Sequence, residues 1–281
     1  MAKKIILLLL ALALLSIAQA QPSKKCKTCG KPLKECPYHG EHLKEKAKSQ
    51  PSATPNTSRA AKSTTTTSPS IEIFTANGVS FNMVRVEGGS TGTYYIGETE
   101  VTQALWQAVM GSNPSYFKGS NLPVESVSWN DCKEFIRKLN ALTGKEFRLP
   151  KESEWEYAAK GGNKSHGYTY SGCNSDDALE QYAWYDKNAY YCGSSSANTS
   201  HPDYGTHAVK QKRPNELDIY DMSGNVWEWC EDLYSSSGSY RVYRGGSWSS
   251  YARNCRVSLR INSDPSTRDD DLGFRLALSA R

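Results

Sequence analysis

The sequence predicts an α+β fold with short strands, few helices and much irregular loop. Three segments carry helix start and stop signals, and the strand patterns are brief. The remainder, about 100 residues rich in Gly, Ser, Asn and Tyr, shows neither the helical period of about 3.6 residues nor the strand period of two. This irregular share is larger than that of an ordinary domain. The fold is therefore expected to hold long loops on a small scaffold.

Helix caps place the helices. Ser128 and Asp131 match a capping box and Gly144 is a stop signal, so a helix is predicted between them. Shorter helices are predicted for residues 102–110 and after Pro150. The apolar spacing predicts a buried face made of Leu105, Trp106, Val109, Cys132, Phe135, Ile136 and Leu139. Strands are predicted at residues 82–86, 94–96 and 241–243.

The first twenty residues are typical of a signal peptide. Lys3 and Lys4 precede an apolar run that ends at Leu15, and a small-x-small pattern closes at Ala20. The run is shorter than the ~20 residues that span a bilayer, so no transmembrane helix is expected in the mature chain. We expect export to the periplasm, the cell surface or the medium.

Residues 21–42 form a small cysteine- and histidine-containing module. Cys26, Cys29, Cys36 and His39 have the spacing of a zinc knuckle, and so short a segment would depend on its metal to fold. Disulfides are the alternative, because exported cysteines usually pair. The sequence leaves both readings open.

Composition separates the tail from the domain. Residues 43–70 are Lys, Ser, Thr, Pro and Ala with almost no bulky apolar side chain, which predicts a disordered linker. Residues 1–70 carry 12 of the 34 basic side chains and 3 of the 29 acidic ones, so residues 71–281 are net acidic. One main domain is predicted for residues 71–281, and its charge argues against nucleic-acid binding.

Four long motifs in this domain resemble one family. They are VESVSWNDCKEFIRKLN, FRLPKESEWEYAAKGG, LDIYDMSGNVWEWCEDLY and the segment from RVYRGGSW to GFR. Together they resemble the formylglycine-generating enzyme (sulfatase-modifying factor) family over residues 81–278. The resemblance implies a variant of the C-type lectin fold.

The same resemblance implies a structural calcium ion. Its ligands would be the Asp221 side chain, the Gly224 and Val226 carbonyls and the Glu228 carboxylate, an all-oxygen set that suits calcium. On the residues alone, Trp227-Glu228-Trp229 could equally be a core strand with a solvated acid.

Catalysis in this family needs two cysteines that bind copper(I). The second corresponds to Cys255, but the first falls on Ser250, whose hydroxyl cannot replace a thiolate. The family's histidine and tyrosine positions fall on Tyr251 and Asn254. We therefore expect neither copper binding nor formylglycine synthesis.

The C-terminal segment also resembles the variable proteins of diversity-generating retroelements. Those proteins share the pattern GGSW, then CR, then GFRL, matched here at residues 245–248, 255–256 and 273–276. Their adenine-directed diversification excludes Lys, Glu, Gln, Met and Trp from variable positions, and residues 249–272 contain none of these. The resemblance implies a variable region at residues 245–276.

The side chains of this region suit recognition, since short polar and aromatic groups resemble those of antibody paratopes. The predicted ligand-binding residues are Ser249, Ser250, Tyr251, Leu259, Ile261, Asn262, Ser263, Asp264, Thr267, Asp269, Asp270 and Asp271. Leu259 and Ile261 would be apolar ligand contacts if exposed, or core strand residues if buried. The three consecutive aspartates could hold calcium or form a solvated turn.

Among the remaining residues, Cys173 and Cys192 flank a loop and are the best-placed pair for a disulfide. His166, His201 and His207 have no metal-like spacing, so we expect them at the surface.

These observations favour an exported, non-catalytic binding protein with a diversified surface, whose partner is an unidentified protein or glycan on a cell or phage. Two alternatives stay open at this point. One is an oxidase-related enzyme with altered chemistry. The other is a structural component of a surface or secretion assembly.

Overall fold

The computed structural model describes residues 70–280, which belong to the second of the chain's two units, Thr65–Arg281. The predicted signal peptide, the cysteine module with Cys26, Cys29, Cys36 and His39, and all of the linker except Ser70 lie outside the described residues. None of the helices within residues 70–280 has the length and apolar character to cross a bilayer.

Two sheets organise the described residues. The first has the order β1-β2-β3-β9-β4 with antiparallel neighbours: β1 Ile71–Ala76, β2 Val79–Val86, β3 Tyr94–Gly97, β4 Phe147–Arg148 and β9 Ala277–Ser279. The second has the order β7-β6-β5-β8: β5 Trp227–Leu233, β6 Arg241–Arg244, β7 Ile261–Ser263 and β8 Leu272–Gly273. In the second sheet, β5 and β8 run parallel and the other pairs antiparallel.

Helices surround the sheets at α1 Gln103–Met110, α2 Trp129–Thr143, α3 Glu152–Ala159 and α4 Asp176–Leu179. Tighter turns occur at Gly162–Lys164 and Ala252–Cys255, and a π-helical turn at Asp186–Tyr190.

The predicted helices are confirmed with their caps. Ser128 and Asp131 form the capping box of α2, and Gly144 ends that helix at φ 66°. Thr102 caps α1. The predicted inward residues are buried except Val109, which is half-buried. Local signals suffice here because a cap and an apolar stripe are properties of neighbouring residues.

The predicted strands are confirmed as parts of β2, β3 and β6, but β1, β4, β7, β8 and β9 were not predicted. Four of these five have only two or three residues, too few to show a period of two. Long-range pairing creates them instead. For example, β9 at residues 277–279 pairs with β3 on one side and with β4 on the other, both more than 100 residues earlier in the chain.

The C-terminal GFRL anchor enters the main core. The Phe274 ring packs edge-on against Trp106 and Phe135, at centroid distances of 6.1 and 5.4 Å, and those two rings stack at 5.1 Å. Gly273 lies so close to Val124 that a Cβ atom would meet the Val124 carbonyl oxygen at 2.3 Å. The downstream end of the predicted variable region is therefore fixed by packing.

Candidate ligand-binding surface

Asn225 ties together the loops that carry the site. Its backbone N–H donates to the Trp184 carbonyl and its own carbonyl accepts from Trp248 N. Its side-chain oxygen accepts from His207 N, and its Nδ2 donates to the Glu100 carboxylate at 3.1 Å. Asn225 is fully buried and adopts φ 63°, so a single residue fixes four chain segments.

Arg275 and Glu228 form a buried ion pair near Asn225. Arg275 donates to both oxygens of Glu228 at 2.6 and 2.7 Å, and both side chains are fully buried. Trp155 Nε1 donates to the same carboxylate at 2.7 Å, while Arg275 also donates to the Gly97 and Tyr220 carbonyls. The solvated acid that alternation suggested for Glu228 is wrong, because β5 is an inner strand between β6 and β8.

The predicted calcium ligand Asp221 has an unsatisfied oxygen. Asp221 Oδ2 accepts from Lys210 N at 2.7 Å, but Oδ1 has no hydrogen-bond partner although the side chain is buried. Oε2 of the buried Glu100 is in the same condition. Burial raises the pKa of Asp221 to about 6, and burial together with Asp221 raises that of Glu100. Two neighbouring buried carboxylates, each with one oxygen that lacks a partner, fit a bound cation.

Gly224 and Val226, whose carbonyls were predicted as ligands, follow Asp221 in the same loop. Glu228 is different, since Arg275 and Trp155 already engage both of its oxygens. Glu100 was missed by sequence reasoning because it lies far from the motif in the chain and reaches it only through the fold.

The position of the family's copper site holds hydroxyl groups. Ser250 Oγ accepts from Ser247 N at 3.1 Å and lies 2.9 Å from Ser247 Oγ. Ser247 and Ser249 both donate to the Asp271 carboxylate, at 2.8 and 3.1 Å. Burial raises the pKa of Asp271 to about 6. This network leaves one sulfur where two are needed for copper(I).

Cys255 is enclosed by the fold. Its side chain is fully buried, and burial raises the pKa of its thiol far above the ordinary range. A neutral, enclosed thiol is a poor metal ligand and a poor nucleophile.

An aromatic cluster surrounds Trp248. Its ring contacts those of Phe117, Tyr190 and Tyr204 at centroid distances of 5.2, 5.7 and 4.9 Å. Tyr116 packs against Phe117 and is exposed. We call Tyr116, Phe117, Tyr190, Tyr204 and Trp248 the aromatic platform. Apart from Trp248, its members lie outside residues 245–276, and only their Tyr-rich composition could have indicated them.

The structure divides the predicted ligand-binding residues into two groups. Ser249, Tyr251 and the aspartates of residues 269–271 lie beside the aromatic platform, since Trp248 Nε1 donates to the Asp270 carbonyl. The second group, residues 259–267, lies at the edge of the second sheet around β7. The predicted variable region therefore contributes to two separate parts of the domain.

The structure adds the burial of three residues in these groups. Ser250 is buried within the hydroxyl network, so it supports the turn and cannot offer a contact surface. Leu259 and Ile261 are half-buried and pack against the main core, so only part of each side chain is accessible. The aspartates form a turn in which Leu272 N donates to the Asp269 carbonyl. Their carboxylate oxygens lie within 4.8 Å of one another.

Two other expectations are wrong. Cys173 and Cys192 are both free thiols, and Cys173 is buried. His207 is mostly buried rather than at the surface: its ring stacks on Trp184 at 3.6 Å, and burial lowers its pKa to about 4. The loop that contains His207 is thus held against the domain by the hydrogen bond from His207 N to Asn225.

Comparison with known proteins assigns the family. Residues 48–280 match the sulfatase-modifying factor enzyme 1-like domain. The chain belongs to this family. It is 34% identical over 265 residues to the chaperone protein LppX of Paenibacillus barcinonensis, covering 72% of this chain and 90% of that one.

Two further relatives bear on function. The formylglycine-generating enzyme of Streptomyces coelicolor is 34% identical over 199 residues, covering 64% of this chain and 60% of the enzyme. The solved structure of Treponema denticola variable protein 1 is 33% identical, with a TM-score of 0.61, and covers 76% of this chain and all of that one. The predicted fold, a formylglycine-generating-enzyme variant of the C-type lectin fold, is confirmed.

Proposed function

We propose that this chain is an exported, non-catalytic ligand-binding protein that displays a diversified surface at residues 245–276. The observation that carries the proposal is the similarity to Treponema denticola variable protein 1, which extends over the whole of that protein. The ligand surface would consist of Ser249, Tyr251 and Asp270 together with the exposed edge of the aromatic platform.

The chemistry of the site supports a binding role. Ser250 and Cys255 form no thiolate pair, and the hydroxyls of Ser247 and Ser249 are committed to Asp271. Around them, tyrosine rings and short polar groups provide contacts that adapt to different partners at small entropic cost. The anchors Trp248 and Phe274 are buried, so contact residues can vary while the backbone is held.

Diversification has a direct test in the neighbouring DNA. We expect a near-copy of the codons for residues 245–276, with asparagine codons at the variable positions, beside a reverse transcriptase gene. Sequencing several isolates should show changes at Tyr251 and Asp270 and none at Trp248 or Phe274. Identical residues at all of these positions across isolates, with no second copy, would contradict targeting by a retroelement.

The absence of catalysis has a separate test. With copper added, the purified protein is expected to leave the cysteine of a sulfatase-type peptide unchanged, because Ser250 removes one of two required thiolates. Mass spectrometry of the peptide measures the outcome, and the Streptomyces coelicolor enzyme serves as the positive control. Conversion of the cysteine to formylglycine would refute the non-catalytic assignment.

The name of the Paenibacillus relative favours a second candidate, a chaperone that binds client proteins. This role also requires binding without catalysis. A chaperone would suppress aggregation of several unrelated unfolded proteins, whereas a display protein would bind one partner selectively. Light scattering of aggregating client proteins separates the two candidates.

We also propose a structural calcium ion at the turn that contains Asp221, Gly224 and Val226. Glu100 would supply an additional oxygen ligand, while the predicted ligand Glu228 is paired with Arg275. A bound cation offsets the repulsion between Asp221 and Glu100 and holds the loop that Asn225 organises.

Chelation is therefore expected to lower the melting temperature. An ion that binds only the folded state at 100 times its dissociation constant adds about 2.7 kcal/mol to the free energy of unfolding. Calorimetry with and without chelator measures this difference. Asp221→Ala should melt at the same temperature in both conditions, while the control Asp264→Ala, an exposed residue, should keep the full response. An unchanged wild-type melting curve, with no calcium in elemental analysis, would count against the site.

A further inference from the structure

A cavity of about 540 Å³ lies between the end of α4, the π-helical turn at Asp186–Tyr190 and residues 251–253. We call residues 247–251, which lead into this last segment, the display turn. Its volume lies within the range of small-ligand sites. Only Tyr251–Arg253 among its lining residues belong to the predicted variable region. The cavity is therefore built mostly from residues to which no role has been given above.

The cavity is fixed to the display turn by the backbone. Asp186 N donates to the Ser250 carbonyl at 3.0 Å, and Tyr191 N donates to the Asp186 carbonyl at 2.6 Å. The Tyr191 and Tyr251 hydroxyls lie 3.4 Å apart, which links the two walls of the cavity. A ligand bound here would contact the fixed wall and the variable turn together.

One polar group is enclosed by this wall. Asp186 is only 8% exposed, and burial raises the pKa of its carboxyl group. Tyr185 beside it is buried, and Arg253 places its guanidinium 4.5 Å from the centre of the Tyr251 ring. A largely dehydrated carboxylate and an oriented guanidinium at one cavity supply a strong acceptor and a set of fixed donors.

The charges of the lining decide the class of ligand. Three carboxylates, of Asp176, Asp177 and Asp186, and two basic side chains, of Lys187 and Arg253, line the cavity together, so it offers no site of a single charge to an isolated anion or cation. No aliphatic side chain larger than Ala252 lines the cavity, so an apolar ligand gains little burial. The remaining class is a neutral molecule that both donates and accepts hydrogen bonds and has a ring to pack on tyrosine.

We infer that this cavity binds a neutral saccharide of the partner's surface, and that Asp186 and Tyr191 form its fixed half. Sugar hydroxyls donate to the Asp186 carboxylate and accept from Arg253, and the tyrosine rings contact the apolar faces of the sugar ring. This inference rests on the proposed ligand-binding function and specifies its ligand as a glycan.

A glycan array tests the inference with the purified full chain. The probes are neutral oligosaccharides, sialylated and sulfated oligosaccharides, and hexalysine as a cationic probe. We expect binding to a subset of the neutral probes. Isothermal titration with the best neutral oligosaccharide should then show at least tenfold weaker binding for Asp186→Asn and for Tyr191→Ala, since each removes one fixed contact.

Controls separate the cavity from the rest of the surface. Glu72→Gln and Tyr240→Ala remove an exposed acid and an exposed ring outside the cavity and outside the proposed ligand surface, and both variants should bind as the wild type does. Because Asp186 is mostly buried, Ser194→Trp is a second test, as it fills the cavity from an exposed position without removing a buried group. Its melting temperature should stay at the wild-type value while saccharide binding is lost.

Several results would overturn the inference. They are binding of only the anionic probes or hexalysine, no neutral probe bound at millimolar concentration, or neutral binding that survives both Asp186→Asn and Ser194→Trp. These outcomes leave the display function intact if a protein partner is still bound through Ser249 and Asp270. Formylglycine production, by contrast, would refute the proposed function itself.

Discussion

Replacing Arg275 with methionine is expected to cost about 3–5 kcal/mol of the free energy of unfolding. The substitution leaves the Glu228 carboxylate buried without its cation, and the Gly97 and Tyr220 carbonyls lose their donor. Since native domains are stable by only about 5–15 kcal/mol, this loss would remove a large part of the stability and clearly lower the urea midpoint. Urea denaturation followed by tryptophan fluorescence measures the loss.

Arg268 provides the matched control. It pairs with Asp131 at 2.7 Å, but at the surface, where its side chain is more than half exposed. Arg268→Met should therefore cost about 1 kcal/mol or less. The double variant Arg275→Met with Glu228→Gln should recover part of the loss, because no uncompensated charge remains. A loss below about 1 kcal/mol for Arg275→Met would mean that the pair does not organise this core.

The second large effect is expected at Trp248. Trp248→Ala removes the ring on which Phe117, Tyr190 and Tyr204 pack, and truncation of a buried aromatic side chain costs about 3–5 kcal/mol. Phe274→Ala should behave alike, since it opens the contact with Trp106 and Phe135. Melting temperatures of the purified variants measure both effects.

The neighbouring contact residues should behave in the opposite way. Tyr251 is 46% exposed, and Tyr251→Ala, Asn262→Ala and Asp270→Ala should each change stability by about 0.5 kcal/mol or less. Reduced partner binding at an unchanged melting temperature is the expected signature of Tyr251→Ala and Asp270→Ala. If these changes unfold the domain, the segment is part of the core and the display surface loses its support.

Much of the scaffold could be predicted from local patterns. The capping box at Ser128 and the stop at Gly144 act between neighbouring residues, so α2 was correct to the residue. The GGSW and GFRL anchors were also correct, because bulky apolar groups beside required glycines are seldom exposed. The substitution of the family's first cysteine by Ser250 is likewise a matter of sequence alone.

The site depended on contacts that are distant in the chain. Glu228 faces Arg275 across 47 residues, so alternation along β5 alone placed its carboxylate in solvent. Glu100 reaches the Asp221 turn only through Asn225, 125 residues away, and Tyr190 and Tyr204 reach Trp248 from a loop without periodic pattern.

The sequence by itself determined the family, the helices, the buried anchors and the loss of the copper-binding thiolate pair. These follow from the identity and spacing of neighbouring residues. Only the tertiary structure decided that Ser250 is buried, that Leu259 and Ile261 pack inward and that Asp186 and Tyr191 join the display turn. The physical reason is that the burial and charge pairing of a residue depend on the segment that packs against it. Local sequence patterns do not show which distant segment that is.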